Sequence, residues 1–319
     1  MVTVVRMQQL PEDARIYVAG HRGLVGSAIW RHLHSRGYQN LIGRTSAEVD
    51  LRDRDATFAT LASVQPDVVI DAAARVGGIM ANATEPVEFL SDNLRIQTNL
   101  LDAAHAVGVE KLLFLGSSCI YPKFAPQPIR EDSLLTGPLE ETNDAYAIAK
   151  IAGVLAVQGY RREYQRAWIS AMPTNLYGPG DNFDLGTSHV LPALIRRFHD
   201  AATAGVEELV LWGTGSPRRE FLHVDDLAAA MLVLLESYDD PAPINVGTGT
   251  DVRISELAAA VAEVTGFAGQ INWDPSKPDG TPQKLLDVSR IKALGWEPRI
   301  GLAEGIRSTY EWYLAHTRD

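Results

Sequence analysis

A short run of buried-strand character, Arg15-Ile-Tyr-Val-Ala19, passes directly into Gly20-His-Arg-Gly-Leu-Val-Gly26 and then into a helix with apolar residues at Leu24, Val25, Ala28, Ile29 and Leu33. Nothing else in the chain restricts its fold as much. Three glycines at that spacing allow a tight strand-to-helix turn, and the chain beyond the turn alternates in the same way. Residues 40–43 read as a second strand, 55–64 as a helix, and Asp67-Val-Val-Ile-Asp71 as a third strand. A long helix at 93–107 leads to the strand Lys111-Leu-Leu-Phe-Leu115, and a helix at 145–164 leads to a strand at 168–172. Continuous apolar strands separated by amphipathic helices predict a Rossmann-type, doubly wound parallel sheet of the α/β class.

After Pro173 the character changes. Loops rich in Gly, Pro and Asn alternate with helices expected at 190–202, 254–265 and 302–315, and Ile244-Asn-Val-Gly reads as a late strand returning to the main sheet. The expected organisation is a dinucleotide-binding domain over residues 1–175, completed by a return strand near 220–250, and a smaller α/β substrate domain over 176–319. Residues 1–14 read as a loose extension. Composition restricts the partners: a net charge of −11 sets the surface as a whole against nucleic acid and anionic membranes, so an anionic substrate must be held by local arginines. The single cysteine, Cys119, permits no intrachain disulfide and no cysteine-based zinc site, and no metal is expected. Without an apolar run of signal or membrane-spanning length, the expected location is the cytoplasm.

The turn Gly20, His21, Arg22, Gly23, Leu24, Val25, Gly26 has the context of a dinucleotide-binding site, where the pyrophosphate meets the positive end of a helix. An NAD-binding turn usually places a carboxylate at the end of the second strand. Here that strand ends in Gly43-Arg44, and Arg22 lies inside the turn. Either arginine alone reads as solvated surface; together they suit a 2′-phosphate and favour NADPH. Asp50, with Leu51, stands further on and is a candidate for contact with the adenine or its surroundings.

Tyr146-Ala-Ile-Ala-Lys150 places a phenol and an ammonium on one helix face, with Asn143 or Asp144 as N-cap. A nearby cation is expected to lower the phenol pKa and let Tyr146 exchange a proton with a substrate oxygen, while Lys150 also binds the nicotinamide ribose. Ser117, just past the strand at 111–115, supplies a third hydrogen-bonding group. Ser117, Tyr146 and Lys150 on this frame resemble the short-chain dehydrogenase/reductase superfamily. The chain length and Arg219-Glu-Phe-Leu-His-Val-Asp-Asp226 resemble its extended, sugar-nucleotide branch. Within it, Gly20-His-Arg-Gly, Leu115-Gly-Ser-Ser-Cys-Ile-Tyr-Pro122, Tyr146-Ala-Ile-Ala-Lys-Ile-Ala-Gly153, Met172-Pro-Thr-Asn-Leu-Tyr-Gly-Pro179 and Lys277-Pro-Asp-Gly-Thr-Pro282 are similar to the GDP-L-fucose synthase family, from about Arg15 to the C-terminus. Ser46 departs from it, standing where some members are expected to carry a further basic residue.

The resemblance implies 3,5-epimerisation of a GDP-4-keto-6-deoxy sugar followed by NADPH-dependent reduction at C4. It makes Cys119 the epimerisation base and His189 the acid; without it, Cys119 reads as a small buried hydrophobe. A working Cys119 thiolate requires a positive neighbour, for which Lys150, Arg219 and protonated His189 are candidates. Pro173, Thr174, Asn175, Leu176 and His189 are implied on the cofactor side. For the GDP-sugar, Arg197, Arg219 and Lys277 are candidates for the pyrophosphate, and Trp212 and Asp279 for the border of the sugar or nucleotide. Trp212 as plain core and Arg197 as plain surface stay open. A homodimer is implied, with the helices at 93–107 and 145–164 packed across a two-fold axis. The alternatives are a 4-epimerase or 4,6-dehydratase of the same branch, or a non-catalytic NADPH-sensing protein. A dehydratase needs carboxylates where this chain has Ser117, Ser118 and Cys119, and the intact Ser117, Tyr146 and Lys150 weigh against the sensor.

Overall fold

The computed structural model describes residues 10–277 and 279–316. Most of the expected N-terminal extension lies outside the described residues; of the rest, Ala14 is buried and Tyr38 Oη donates to the Leu10 carbonyl at 3.4 Å. The elements run β1 (Ile16–Ala19), α1 (Leu24–Ser35), β2 (Leu41–Ile42), α2 (Arg54–Val64), β3 (Val68–Asp71), α3 (Ile79–Thr84), α4 (Pro86–Ala106), β4 (Lys111–Leu115), α5 (Asp144–Tyr164), β5 (Ala167–Pro173) and β6 (Asn175–Tyr177). They continue as α6 (Val190–Thr203), β7 (Glu208–Trp212), β8 (Arg218–Arg219), β9 (Phe221–His223), α7 (Val224–Ser237), β10 (Ile244–Val246), β11 (Val252–Arg253), α8 (Ile254–Thr265), β12 (Gln270–Asp274), β13 (Gln283–Lys284), α9 (Ser289–Ala293) and α10 (Leu302–His316).

Six strands form a parallel sheet in the order β10-β5-β4-β3-β1-β2. Every residue of β1 and β3 is buried, as apolar strands covered on both faces require. Helices α1 and α7 pack together, and α2, α4 and α5 pack as a second group. Because the strands are parallel, the loops after β1, β3, β4, β5 and β10 open along one edge. The order reverses between β1 and β3, the position where open α/β sheets take their ligands. Helix α5 sits tight on the sheet: a Cβ at Gly153 would stand 2.3 Å from Cζ of Phe114 on β4, so this glycine sets the height of Tyr146 and Lys150 over the strand ends.

A second buried cluster joins Phe198 of α6, Leu211 of β7, Val261 of α8 and Ile306 of α10 with Phe221 and Phe267. Beside it β7 pairs in parallel with β12, and β8 lies between β11 and β13. None of these small pairings was expected from the sequence. Nor was α3, and α4 begins at Pro86 instead of Asn93, with proline in its first turn, where its missing N–H costs nothing. Among the described residues no helix is long and apolar enough to cross a membrane.

Candidate active site

Two of the three glycines of the turn, Gly20 and Gly26, have no room for a side chain. Gly20 has φ +75°, and a Cβ there would stand 2.7 Å from the Ala72 carbonyl oxygen; one at Gly26 would stand 2.1 Å from the Gly20 oxygen. The Gly23 N–H closes the turn on the Gly20 carbonyl at 2.9 Å. The helix therefore starts against the strand end with its backbone bare, a cradle of the shape a dinucleotide pyrophosphate requires. Leu24 and Val25 anchor its first turn against the core. His21 turns its ring to within 5.5 Å of the Trp30 ring centre, and Gly43 leaves it space, since a Cβ at Gly43 would meet the imidazole at 2.4 Å.

Arg22 and Arg44 are both exposed. Sequence reasoning missed Glu48, whose carboxylate takes hydrogen bonds from Thr45 N and Oγ1 at 2.7 and 2.8 Å. Those bonds, with Arg44 and Arg22 nearby, hold it below the ordinary carboxylate range. Asp50 is occupied by Arg52, which reaches it through Nε and Nη2, each at 2.9 Å, while Asn99 Nδ2 fixes the Leu51 carbonyl at 3.0 Å. Where β5 ends, Thr174 N donates to the Val246 carbonyl at 3.0 Å and Asn175 Nδ2 to that of Glu220 at 2.8 Å, which fixes the segment from Pro173 to Leu176 at the sheet edge.

Beyond β4 the chain tightens into a turn at 118–120. Ser117 is extended, and its Oγ accepts the Cys119 N–H at 3.3 Å. Lys150 Nζ donates to the Leu115 carbonyl at 2.9 Å and lies 5.9 Å from the Tyr146 ring centre. Tyr146 meets Phe89 edge-on. The expected lowering of the phenol is corrected: burial pushes the Tyr146 pKa up, and Cys119 and Asp71 add to the rise. Removing the phenol from water penalises the phenolate, and the acidic neighbours add to that penalty. Burial likewise pushes the Cys119 thiol up, opposed by Lys284 and then by the Ser117 hydrogen bond and Lys150.

Lys284 is a second residue that sequence reasoning missed. Of the candidate cations Lys150 acts on the thiol, and Lys284 of β13 does so more strongly. Its signal in the sequence was a lysine two residues beyond the Lys277–Pro282 stretch, with nothing to say that β13 would pair alongside β8 and bring it to Cys119. Glu140, held by Lys123 at 3.2 Å and by Thr281 Oγ1 at 3.2 Å, faces both Lys284 and Arg219.

His189 is the N-cap of α6. Although part of its surface meets solvent, the protein crowding its imidazole lowers its pKa, which favours the neutral ring. The loop before it docks on Gly78, whose N–H donates to the Thr187 carbonyl at 2.9 Å; a Cβ there would stand 2.5 Å from the Ser188 oxygen.

The remaining candidates gather around β7. Trp212 is exposed, not core, and Lys277 Nζ lies 5.7 Å from its ring centre. Arg197 Nη2 donates to the Val210 carbonyl at 2.5 Å, so it is tied to β7 and is not free surface. Asp279 takes Thr214 N and Oγ1 on its two oxygens, each at 2.7 Å, and thereby pins the 279–281 segment to the loop after β7. Arg219 donates to the Arg218 carbonyl at 2.9 Å and lies close to Gly280. Among the described residues no group of three or more His, Cys, Asp or Glu side chains is arranged to hold a metal ion.

A dinucleotide cradle and a Ser–Tyr–Lys set at one sheet edge define a nucleotide-dependent dehydrogenase or epimerase, and the chain belongs to the NAD dependent epimerase/dehydratase family, whose model matches residues 16–247. Particular relatives narrow this. The chain is 59% identical to a probable GDP-L-fucose synthase 1 of Oryza sativa subsp. japonica, over 95% of this chain and 93% of that protein. It is 52% identical to the GDP-L-fucose synthase of Escherichia coli (strain K12), over 94% and 96%. The crystal structure of a GDP-L-fucose synthetase from Naegleria fowleri bound to NADP superposes with a TM-score of 0.91 at 29% identity, covering 99% of this chain and 97% of that one.

Proposed function

We infer that this chain converts GDP-4-keto-6-deoxy-D-mannose to GDP-L-fucose by 3,5-epimerisation and NADPH-dependent reduction at C4, working in the cytoplasm as a homodimer. The observation that carries the reading is the grouping of Ser117, Cys119, Tyr146 and Lys150 at the ends of β4 and α5, with Lys284 beside the thiol. A 4-keto group acidifies the protons at C3 and C5. Cys119, as thiolate opposite Lys284, removes them, and His189 returns protons on the other face. NADPH, when bound in the Gly20–Gly26 cradle with Arg22 and Arg44 toward its 2′-phosphate, supplies hydride for C4. A high phenol pKa keeps Tyr146 protonated at neutral pH, the state needed to give its proton to the C4 oxygen. Ser117 hydrogen-bonds that same oxygen. Arg219, with Lys277 and Arg197 near β7, holds the pyrophosphate, and Trp212 borders the nucleotide.

Incubation with GDP-4-keto-6-deoxy-mannose and NADPH, followed by product analysis, tests this. The expected product is GDP-L-fucose. Tyr146→Phe is expected to abolish NADPH oxidation while still exchanging the C3 and C5 protons with deuterated water. Cys119→Ser is expected to bind NADPH normally and lose the exchange. Recovery of unchanged substrate with the wild-type protein would overturn the assignment.

A further inference from the structure

Asp71 is a carboxyl group in an unusual place. It ends β3, is fully buried, and accepts one hydrogen bond, from the Ala73 N–H to Oδ1 at 3.2 Å; among the described residues Oδ2 has no partner. Leaving a carboxylate oxygen unpaired in the interior is costly unless a charge faces it. The sheet register says which charge. Asp71 pairs with Phe114 of β4, and in a parallel ladder paired residues send their side chains to the same face. Phe114 packs its ring on Gly153 of α5, so Asp71 also faces α5. On that face the Lys150 ammonium lies 4.8 Å from the Phe114 ring centre, bonded to the carbonyl of the next β4 residue, Leu115.

We propose that Asp71 is a positioning residue for the reduction step: its buried carboxylate is the counter-charge that holds the Lys150 ammonium, in its cationic form, beside Tyr146. The proposal rests on the roles of Tyr146 and Lys150 in the proposed reduction. Asp71 does not touch the reacting atoms; it acts through the lysine and through the adjoining Tyr146 phenol, which its charge holds up.

The electrostatics agree with the geometry. Burial pushes Lys150 down, and Asp71 is the first charge opposing this, followed by Cys119. Burial raises Asp71 to about 6, with Lys150 opposing the rise. Among the described residues the titratable groups facing Lys150 are Asp71 from β3, Cys119 from the 118–120 turn and Tyr146 from α5; Asp71 also faces Tyr146 itself and Tyr17 on β1, and its charge raises both phenols. A buried lysine stripped of its counter-charge releases its proton at lower pH. Removing the Asp71 charge therefore lowers Lys150 and, with it, Tyr146, and brings the alkaline limb of reduction to lower pH.

The experiment is the pH profile of NADPH oxidation at saturating substrate for wild type, Asp71→Asn, Asp71→Leu and Asp71→Glu, with NADPH affinity and thermal midpoint measured alongside. Both neutral variants are expected to move the alkaline limb down by about one pH unit, making reduction about tenfold slower at a fixed alkaline pH, and Asp71→Glu to move it back. A merely structural carboxyl would shift the thermal midpoint and leave the limb in place, and that result would overturn the proposal. So would failure of both neutral variants to fold, which assigns Asp71 to stability alone. Retention of NADPH oxidation by Tyr146→Phe would instead sink the reading of the site itself, whatever the Asp71 variants do.

Discussion

The Cys119 thiol stands between opposed effects of burial and charge, and the balance decides whether it can act as a base. A free thiol has a pKa of about 8.5. Burial moves it up, away from the working range, and Lys284 is the strongest influence bringing it back. Lys284→Met keeps most of the side-chain volume and removes the charge, so the thiol pKa rises and the thiolate fraction at neutral pH falls by about tenfold per unit. Deuterium exchange at C3 and C5 should accordingly weaken near pH 7 and recover at higher pH, its acid-side limb displaced upward by about one unit. An unmoved limb would mean that Lys284 does not serve Cys119. Ser117, Tyr146 and Lys150 were legible as candidates because each sits at a fixed offset from a strand end or a helix start, and Cys119 only through the family resemblance. Lys284 was not, since its offset is defined only across the fold.

At the scale of elements, cofactor choice is proposed to belong to the glycine turn and the end of β2. Arg22 and Arg44 come from two different connections yet bear on a single carboxylate, that of Glu48. A 2′-phosphate offers them a doubly charged partner in addition. Losing two charge-assisted contacts costs roughly 3 kcal/mol, about a hundredfold in affinity, so NADPH should be strongly preferred over NADH. Arg44→Ala is expected to narrow that gap, as measured by kcat/KM with each cofactor; equal efficiency of the wild type with both would remove the arginines from the argument. Strands β3 and β4 and helix α8 could be read from the sequence because continuous apolar runs and a 3.6-residue period are local patterns. Strands β7 and β12 could not. They pair as an isolated two-stranded unit with much of β7 exposed, which leaves no burial pattern to detect. The start of α4 was hidden by Glu88, Ser91 and Asp92, polar residues that break the apolar period near its N-terminus.

For the whole molecule, α4 and α5 pack against each other and leave Ile148, Leu155 and Tyr164 of α5 and Val87 of α4 exposed. Ile148 and Leu155 are two turns apart and share one helix face, the face on which a second copy is proposed to pack. Sedimentation should find a dimer for the wild type and a monomer for Ile148→Glu with Leu155→Glu; a wild-type monomer would refute the proposed contact. The sequence by itself determined the parallel sheet and the bare glycine turn, because these follow from periodicity and from spacing along a strand, turn or helix; it offered Ser117, Tyr146 and Lys150 as candidates by spacing and Cys119 by resemblance. Only the tertiary structure decided which charges those groups meet. Lys284 faces Cys119 because β13 lies alongside β8, and Asp71 faces Lys150 because β3 and β4 are in register beneath α5. Burial then reversed the expected direction at Tyr146, since the cost of placing a charge away from water depends on everything packed around it and not on the nearest residue along the helix.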